Sequence, residues 1–169
     1  YLMTHYATIQ PKGLFIVYSP VDLVGKYENA EKNVASNYSE ISVKEAKWIL
    51  DLFDSNCGKG DSAFVKYEVF SPYIFKTHSL RNVSQLKDVK IRLYTEPDTL
   101  WWKENRQTAY EDMNAHYIEE LSKDLKSLYG NNVEFITTQN KGVRASGMRH
   151  PHSWSIVDKQ DLLRWMAAD

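Results

Sequence analysis

The feature that most constrains this chain is an alternation of short apolar runs with longer amphipathic ones. Leu14-Phe15-Ile16-Val17-Tyr18 follows Gly13, is apolar throughout and is closed by Ser19-Pro20. A run so short and so uniformly apolar reads as a strand buried on both faces, as in a parallel sheet. From Val89 to Tyr94 the sequence alternates, Val89, Ile91 and Leu93 against Lys90, Arg92 and Tyr94. That pattern predicts a second strand with one face only partly covered. Val133 to Thr137, after the turn signal Gly130-Asn131-Asn132, is the third. Between the last two, Tyr110, Met113, Tyr117, Leu121, Leu125 and Leu128 recur at helical spacing, and Gly130 supplies the stop. A further helix, carrying Leu162, Leu163, Trp165 and Met166, is predicted after Asp158 as its cap. Strand, helix, strand, helix in this order predicts an α/β fold with a parallel sheet of about three strands and right-handed crossovers.

The stretch 25–87 breaks the alternation. Ser42-Val43-Lys44-Glu45 has capping-box spacing before Ala46, Trp48, Ile49, Leu50, Leu52 and Phe53. A turn-rich segment, Ser55 to Asp61, and the aromatic Phe64, Tyr67, Phe70, Tyr73 and Phe75 follow. This is far longer than an ordinary connection of roughly 4–6 residues. It reads as a helical insertion, a lid over the carboxyl edge of the sheet, within a single domain over 1–169. The chain is 43% hydrophobic, enough for a core, and its 21 Lys plus Arg balance 22 Asp plus Glu to a net charge of −1. Wholesale disorder is excluded, and composition offers no case for a nucleic-acid partner. The single cysteine, Cys57, excludes an internal disulfide and a multi-cysteine zinc site. No apolar run approaches the roughly 18–20 residues of a membrane span. Tyr1, Leu2, Met3, Tyr6 and Ile9 form most of an amphipathic helix entered without a cap, which reads as the continuation of a longer chain.

In open α/β sheets the working groups gather beyond the carboxyl ends of the strands. Three polar clusters are expected there: Ser19-Pro20-Val21-Asp22, Thr95-Glu96-Pro97-Asp98 and His150-Pro151-His152-Ser153-Trp154. An acid on one strand-end loop and a histidine on the next is what a catalytic dyad needs. The carboxylate holds one ring nitrogen and stabilises the imidazolium, leaving the other nitrogen to accept a proton from a nucleophile.

At these residues the chain resembles the C-terminal part of the α/β-hydrolase superfamily. Val89 to Asp98 looks like the family's strand and acid-bearing turn, with Asp98 in the acid's place. Tyr110 to Leu128 followed by Val133-Glu134-Phe135-Ile136 is similar to the helix and final strand. His150 to Trp154, leading into a terminal helix, is similar to the histidine loop, and a small residue then an aromatic after His152 favour it over His150. The resemblance implies Asp98 and His152 as catalytic residues, an acyl ester as substrate, and neither metal nor cofactor. It departs from the family in one respect: no G-x-S-x-G elbow exists in the sequence. The nucleophilic serine and oxyanion donors are therefore expected upstream of Tyr1. The missing strands would come from that N-terminal half or from a second chain, and the 169 residues alone should have no esterase activity. The rival reading is a non-catalytic hydrolase-like module or a subunit completed by a partner chain.

Other assignments remain open at this level. Glu96, expected to face solvent, is the rival acid; Asp22 is an acid from the earlier strand or an ordinary loop start. Ser19 and Ser153 lack the flanking glycines of an elbow and read as turn hydroxyls. His150 and His152 with Asp98 make a weak metal-ligand set. His5, His78 and His116 have no legible partner, and His116 reads as packing or surface. Cys57 is expected in an exposed loop as a bystander. Trp101-Trp102 would wall a substrate pocket or pack the lid. Lys141, Arg144 and Arg149 would meet an acidic substrate or form a solvated loop. Asn82-Val83-Ser84 is a glycosylation sequon.

Overall fold

The computed structural model describes residues 11–59 and 61–168. Three strands, β1 (Gly13–Val17), β2 (Lys90–Thr95) and β3 (Val133–Thr137), hydrogen-bond in that order. Both pairings are parallel, with Gly13 opposite Lys90 and Ile91 opposite Val133 setting the registers. Six helices accompany them among the described residues: α1 (Leu23–Ser36), α2 (Glu40–Cys57), α3 (Asp61–Phe70), α4 (Thr99–Arg106), α5 (Asn114–Tyr129) and α6 (Lys159–Ala167). The expected strand order, the parallel pairing and the helical character of the long insertion are all present. The helix expected over Tyr1 to Ile9 lies outside the described residues. No helix among the described residues is long and apolar enough to cross a membrane.

The sheet separates two cores. Ile91 and Leu93 point to one face, where Ile118, Leu121 and Leu125 of α5 bury against them with Tyr73, Val83, Leu86 and Val89. Tyr94 points to the other, packed with Tyr18, Met113, Ile156, Leu162 and Trp165. The alternation in β2 therefore reports two covered faces, not one covered and one open. Arg92 is only 7% exposed. Its guanidinium is held by Glu134 at 2.6 Å and Asp161 at 2.8 Å, and lies 4.9 Å from the Trp165 ring centroid. A buried cation with two carboxylates and an aromatic face is a satisfied one. β1 departs the other way: all five of its residues are half-buried. Among the described residues it pairs only with β2, so one flank has no strand over it.

Helix boundaries correct the sequence in three places. The cap of α2 is Ser39, whose Oγ accepts from the Ser42 N–H at 3.2 Å, one turn before the expected box. The helix then runs through Cys57 and stops at Gly58, consuming part of the expected turn. Cys57 is consequently half-buried against the aromatic cluster around Tyr67, not in an exposed loop. The helix expected from Tyr110 begins only at Asn114: Tyr110–Asp112 is a separate 3-10 turn, and Tyr110 and Met113 pack in the core on the other face of the sheet from Leu121 and Leu125. The remaining boundaries follow the expected chemistry. Gly130, at φ +57°, ends α5 with its N–H donating to the Lys126 carbonyl, and the Asp158 carboxylate caps α6 by accepting from two N–H groups at 3.0 Å. Gly25 sits where α1 meets α5: an added Cβ would lie 2.7 Å from the Tyr117 ring, so a larger residue would displace that tyrosine.

Candidate functional site

The carboxyl ends of β1 and β2 open onto a cavity of about 430 Å³. Its floor is Tyr18, the residue after β1, which adopts φ +48°, a left-handed conformation that costs a bulky residue energy. The Tyr18 N–H still donates to the Tyr94 carbonyl at 3.1 Å, so the ladder extends one residue into the strained turn. One wall is aromatic. The His152 ring packs 4.8 Å from that of Tyr18, Trp102 lies 6.3 Å on the other side, and Trp101 meets His150 edge-on at 5.2 Å. The paired tryptophans thus divide the two roles considered for them: Trp102 lines the cavity and Trp101 packs behind a histidine.

Helices α1 and α2 close the other side. Lys26, Asn29, Asn33 and Ser36 fall at steps of three and four on α1, and Ser42, Glu45, Ala46 and Ile49 do so on α2. Each set is one helix face. Arg106 at the end of α4 and Arg144 on the loop after β3 complete the lining.

The loop bearing the histidines is held by a carboxylate clamp. Glu96 is 1% exposed, which corrects its expected solvent-facing position. It accepts from the Gly142 N–H at 3.0 Å, the Lys141 N–H at 2.9 Å and the Thr138 hydroxyl at 2.8 Å, and pairs with Arg149 at 2.6 Å. Burial alone would raise its carboxyl, but those donors and the Arg149 guanidinium outweigh it and hold it below the usual carboxylate range. Arg149 also reaches Asp98 Oδ2 at 2.6 Å and donates to the Gly142 carbonyl at 2.6 Å. The loop folds back on itself through a Val143–Arg149 bridge, and the His150 N–H donates to the same Gly142 carbonyl at 2.8 Å. Close approach forces glycine at 142: a Cβ there would meet the His150 carbonyl oxygen and Pro151 Cα at 2.6 Å. Of the basic loop residues, Arg149 is therefore an internal tie.

Asp98 does not hydrogen-bond to His152. Its Oδ1 caps α4 by accepting from the Trp101 N–H at 3.0 Å, and its Oδ2 takes Arg149. The two residues share the sheet edge but are joined only through Arg149 and the backbone it fixes. The His152 ring makes no hydrogen bond to any described residue. The residue is exposed and lines the cavity, so water reaches the ring. Desolvation and the nearby His150, Lys26 and Arg144 push its value down to about 4, against a weaker pull from Glu45. It is a neutral imidazole near pH 7, able to accept a proton. His150 is shifted down as well, by burial first and Arg144 second, and its Nδ1 has no protein partner.

The remaining candidates are accounted for elsewhere. Asp22, 3% exposed, caps α1 through Val24 and Gly25 and accepts from the Phe75 N–H at 3.0 Å. Ser19 donates to the Val17 carbonyl at 3.2 Å, as a turn hydroxyl does. His78 does have a partner, Asp124 at 2.9 Å, with Tyr73 bonded to both. His116 packs against Phe75 and Tyr110. Asn82 is 7% exposed, and its amide donates to the carbonyls of Glu68, Val69 and Ser71, so the folded sequon cannot receive a glycan. His5 lies outside the described residues. No cluster of three or more metal-ligating side chains occurs among the described residues.

Sequence reasoning missed Tyr18, Lys26, Glu45 and Arg106. The legible signal was the polar stripe at helical spacing on α1, which points inward at a cavity where a surface stripe would point to water. Comparison of the chain with protein-family models, with curated proteins and with solved structures finds no match.

Proposed function

We propose that this chain carries the acid–base half of an α/β-hydrolase-like enzyme that cleaves acyl esters, with His152 as the general base. The observation that supports this reading most is the position of His152: an imidazole free of protein hydrogen bonds, on the wall of a cavity at the carboxyl edge of a parallel sheet. A general base needs an accessible nitrogen of that kind, and the downward shift of the ring keeps it unprotonated. In this reading Asp98 acts with Glu96 through Arg149, setting the loop from which His152 projects, and is a positioning residue. The nucleophilic serine is supplied from outside the 169 residues, whose sequence contains no nucleophile elbow. His152 takes the serine proton as the oxygen attacks the ester carbonyl and returns it to the leaving alcohol; water then repeats the cycle on the acyl-serine.

A second reading, a non-catalytic module of the same architecture, is favoured by one observation: both Asp98 oxygens are committed away from the imidazole. The experiment that separates them is p-nitrophenyl ester hydrolysis by the full-length protein and its His152→Ala variant, with circular dichroism reporting the fold. The expected result is a loss of about 10²–10⁴ in turnover at unchanged ellipticity. An undiminished rate in the variant, or no hydrolysis by the wild type, favours the module.

A further inference from the structure

We infer that the cavity binds an oxyanion, so that its substrate is an ester carrying a second, negatively charged group, a carboxylate or a phosphate, held by Lys26 and Arg144 beside His152. In a chain of net charge −1, the cavity lining gathers four cations, Lys26, Lys32, Arg106 and Arg144, against two acids, Glu45 and Asp112. Lys32 is neutralised in place by Asp112 at 2.5 Å, and Arg106 is engaged by the Ser42 hydroxyl at 3.2 Å. Lys26 and Arg144 differ. Neither side chain makes a hydrogen bond or ion pair among the described residues, although Lys26 is half-buried. Desolvation weakens its ammonium, and only the through-space attraction of Glu45 opposes that. A half-buried ammonium without a counter-ion is an unstable arrangement unless an anion completes it.

An independent observation points the same way. Among the described residues, three of the five buried side-chain polar atoms without a protein partner belong to residues that line this cavity: Tyr18 Oη, Trp102 Nε1 and His150 Nδ1. The Trp102 indole is near enough to the Tyr18 phenol to oppose its upward shift, yet falls short of hydrogen-bond geometry. Buried polar groups are ordinarily paired, so orphans concentrated on one cavity wall mark where a polar ligand belongs. Two cations without side-chain partners and unpaired polar atoms around one cavity suit an oxyanion and would leave an uncharged aliphatic ester poorly held. That the anionic molecule is also an ester rests on the reading of His152 given above; the oxyanion binding does not.

The test is titration of the protein with monomethyl succinate, monomethyl phosphate and uncharged dimethyl succinate, followed by NMR at the His152 ring C–H and the Trp102 indole N–H. Wild type should bind at least one charged probe about tenfold or more tightly than dimethyl succinate, as loss of a charge-assisted contact implies. A preference between the two charged probes assigns carboxylate or phosphate. Lys26→Met and Arg144→Met should each remove most of that difference, whereas Lys44→Met, on the outer face of α2, should not. Arg144 is exposed, so its variant will fold even where Lys26→Met does not. Equal affinity for charged and uncharged probes, binding unaffected by Arg144→Met, or no binding by any probe overturns the inference. Those failures leave the ester-hydrolase reading standing, since hydrolysis of uncharged p-nitrophenyl esters judges it separately. Conversely, an unaffected His152→Ala rate removes the ester while the oxyanion site survives.

Discussion

Replacing Arg149 by Met tests the clamp on which the histidine loop depends. The substitution keeps the aliphatic stem and removes the charge shared by Glu96 and Asp98. Breaking a fully buried ion pair costs about 3–5 kcal/mol, because the surviving charge is left uncompensated. Two features lower that figure here. The Arg149 side chain keeps 28% of its surface exposed, so solvent already screens the pair. Glu96 also retains the Gly142 and Lys141 N–H groups and the Thr138 hydroxyl. The Gly142 carbonyl loses the guanidinium but keeps the His150 N–H at 2.8 Å. An intermediate cost of about 2 kcal/mol follows, which in urea is a midpoint shift of about 1 M. Tryptophan fluorescence reads it at pH 7. The pH dependence has a definite sign. Glu96 is held below its usual value in the folded state, so its stabilisation is complete above the unfolded value, about 4.3, and is lost as pH falls through the folded value. Without Arg149 the folded value rises, and the gap between wild type and variant should narrow below about pH 4. Equal midpoints at pH 7, or a gap that stays constant down to pH 3, would refute the reasoning.

Other outcomes follow from single contacts. Gly142→Ala should cost about 1–3 kcal/mol and displace the loop, because its Cβ meets backbone atoms of His150 and Pro151 that cannot rotate aside; an unshifted urea midpoint would count against that. Asp22→Ala should cost about 2–3 kcal/mol, since the N–H groups of Val24, Gly25 and Phe75 lose their acceptor together, and a loss below half a kcal/mol would show that water replaces it. The His152 ring C–H should titrate by NMR with a midpoint of about 4, in the field of His150, Lys26, Arg144 and Glu45, and a midpoint above 6 would contradict that downward shift. Because that folded value is depressed, the stability linked to His152 is full above about pH 6.5 and lost as pH falls toward 4, a dependence that His152→Gln should flatten.

The fold was legible because its signals are local and repeated. The strand at Leu14–Val17, the helical stripe from Tyr117 to Leu125 and the caps Asp158 and Gly130 each depend on a few neighbouring residues, and each forms the element the pattern implies. What the pattern could not give is which polar residues lie inside. Arg92 and Glu96 read as solvent-facing because an isolated charge is expensive to bury, yet both are interior. Their partners, Glu134 and Asp161 for one and Arg149 for the other, come from a strand, a helix and a loop 42 or more residues away in sequence. A periodicity argument sees one element at a time, whereas a buried ion pair is a property of two.

The same limitation explains the site. Asp98 and His152 were chosen for their positions after two strands, and both do sit at the carboxyl edge, but strand-end placement leaves the direction of the side chain open. Asp98 begins a helix, and the four unpaired N–H groups at any helix start compete for its carboxylate. Once Oδ1 is bound to the Trp101 N–H, Oδ2 is carried toward the loop, where Arg149 meets it before any imidazole does. Arg149 is one residue from His150 and three from His152, so the acid's hold on the histidines passes through the backbone of one short segment. Asp98→Asn, which keeps the cap but weakens the guanidinium contact, should therefore disturb the loop less than Arg149→Met does. Amide exchange at His150, whose N–H seals the loop against Gly142, distinguishes the cases: protection largely kept in Asp98→Asn and lost in Arg149→Met supports control through the clamp. Loss in Asp98→Asn with protection kept in Arg149→Met would refute control through the clamp.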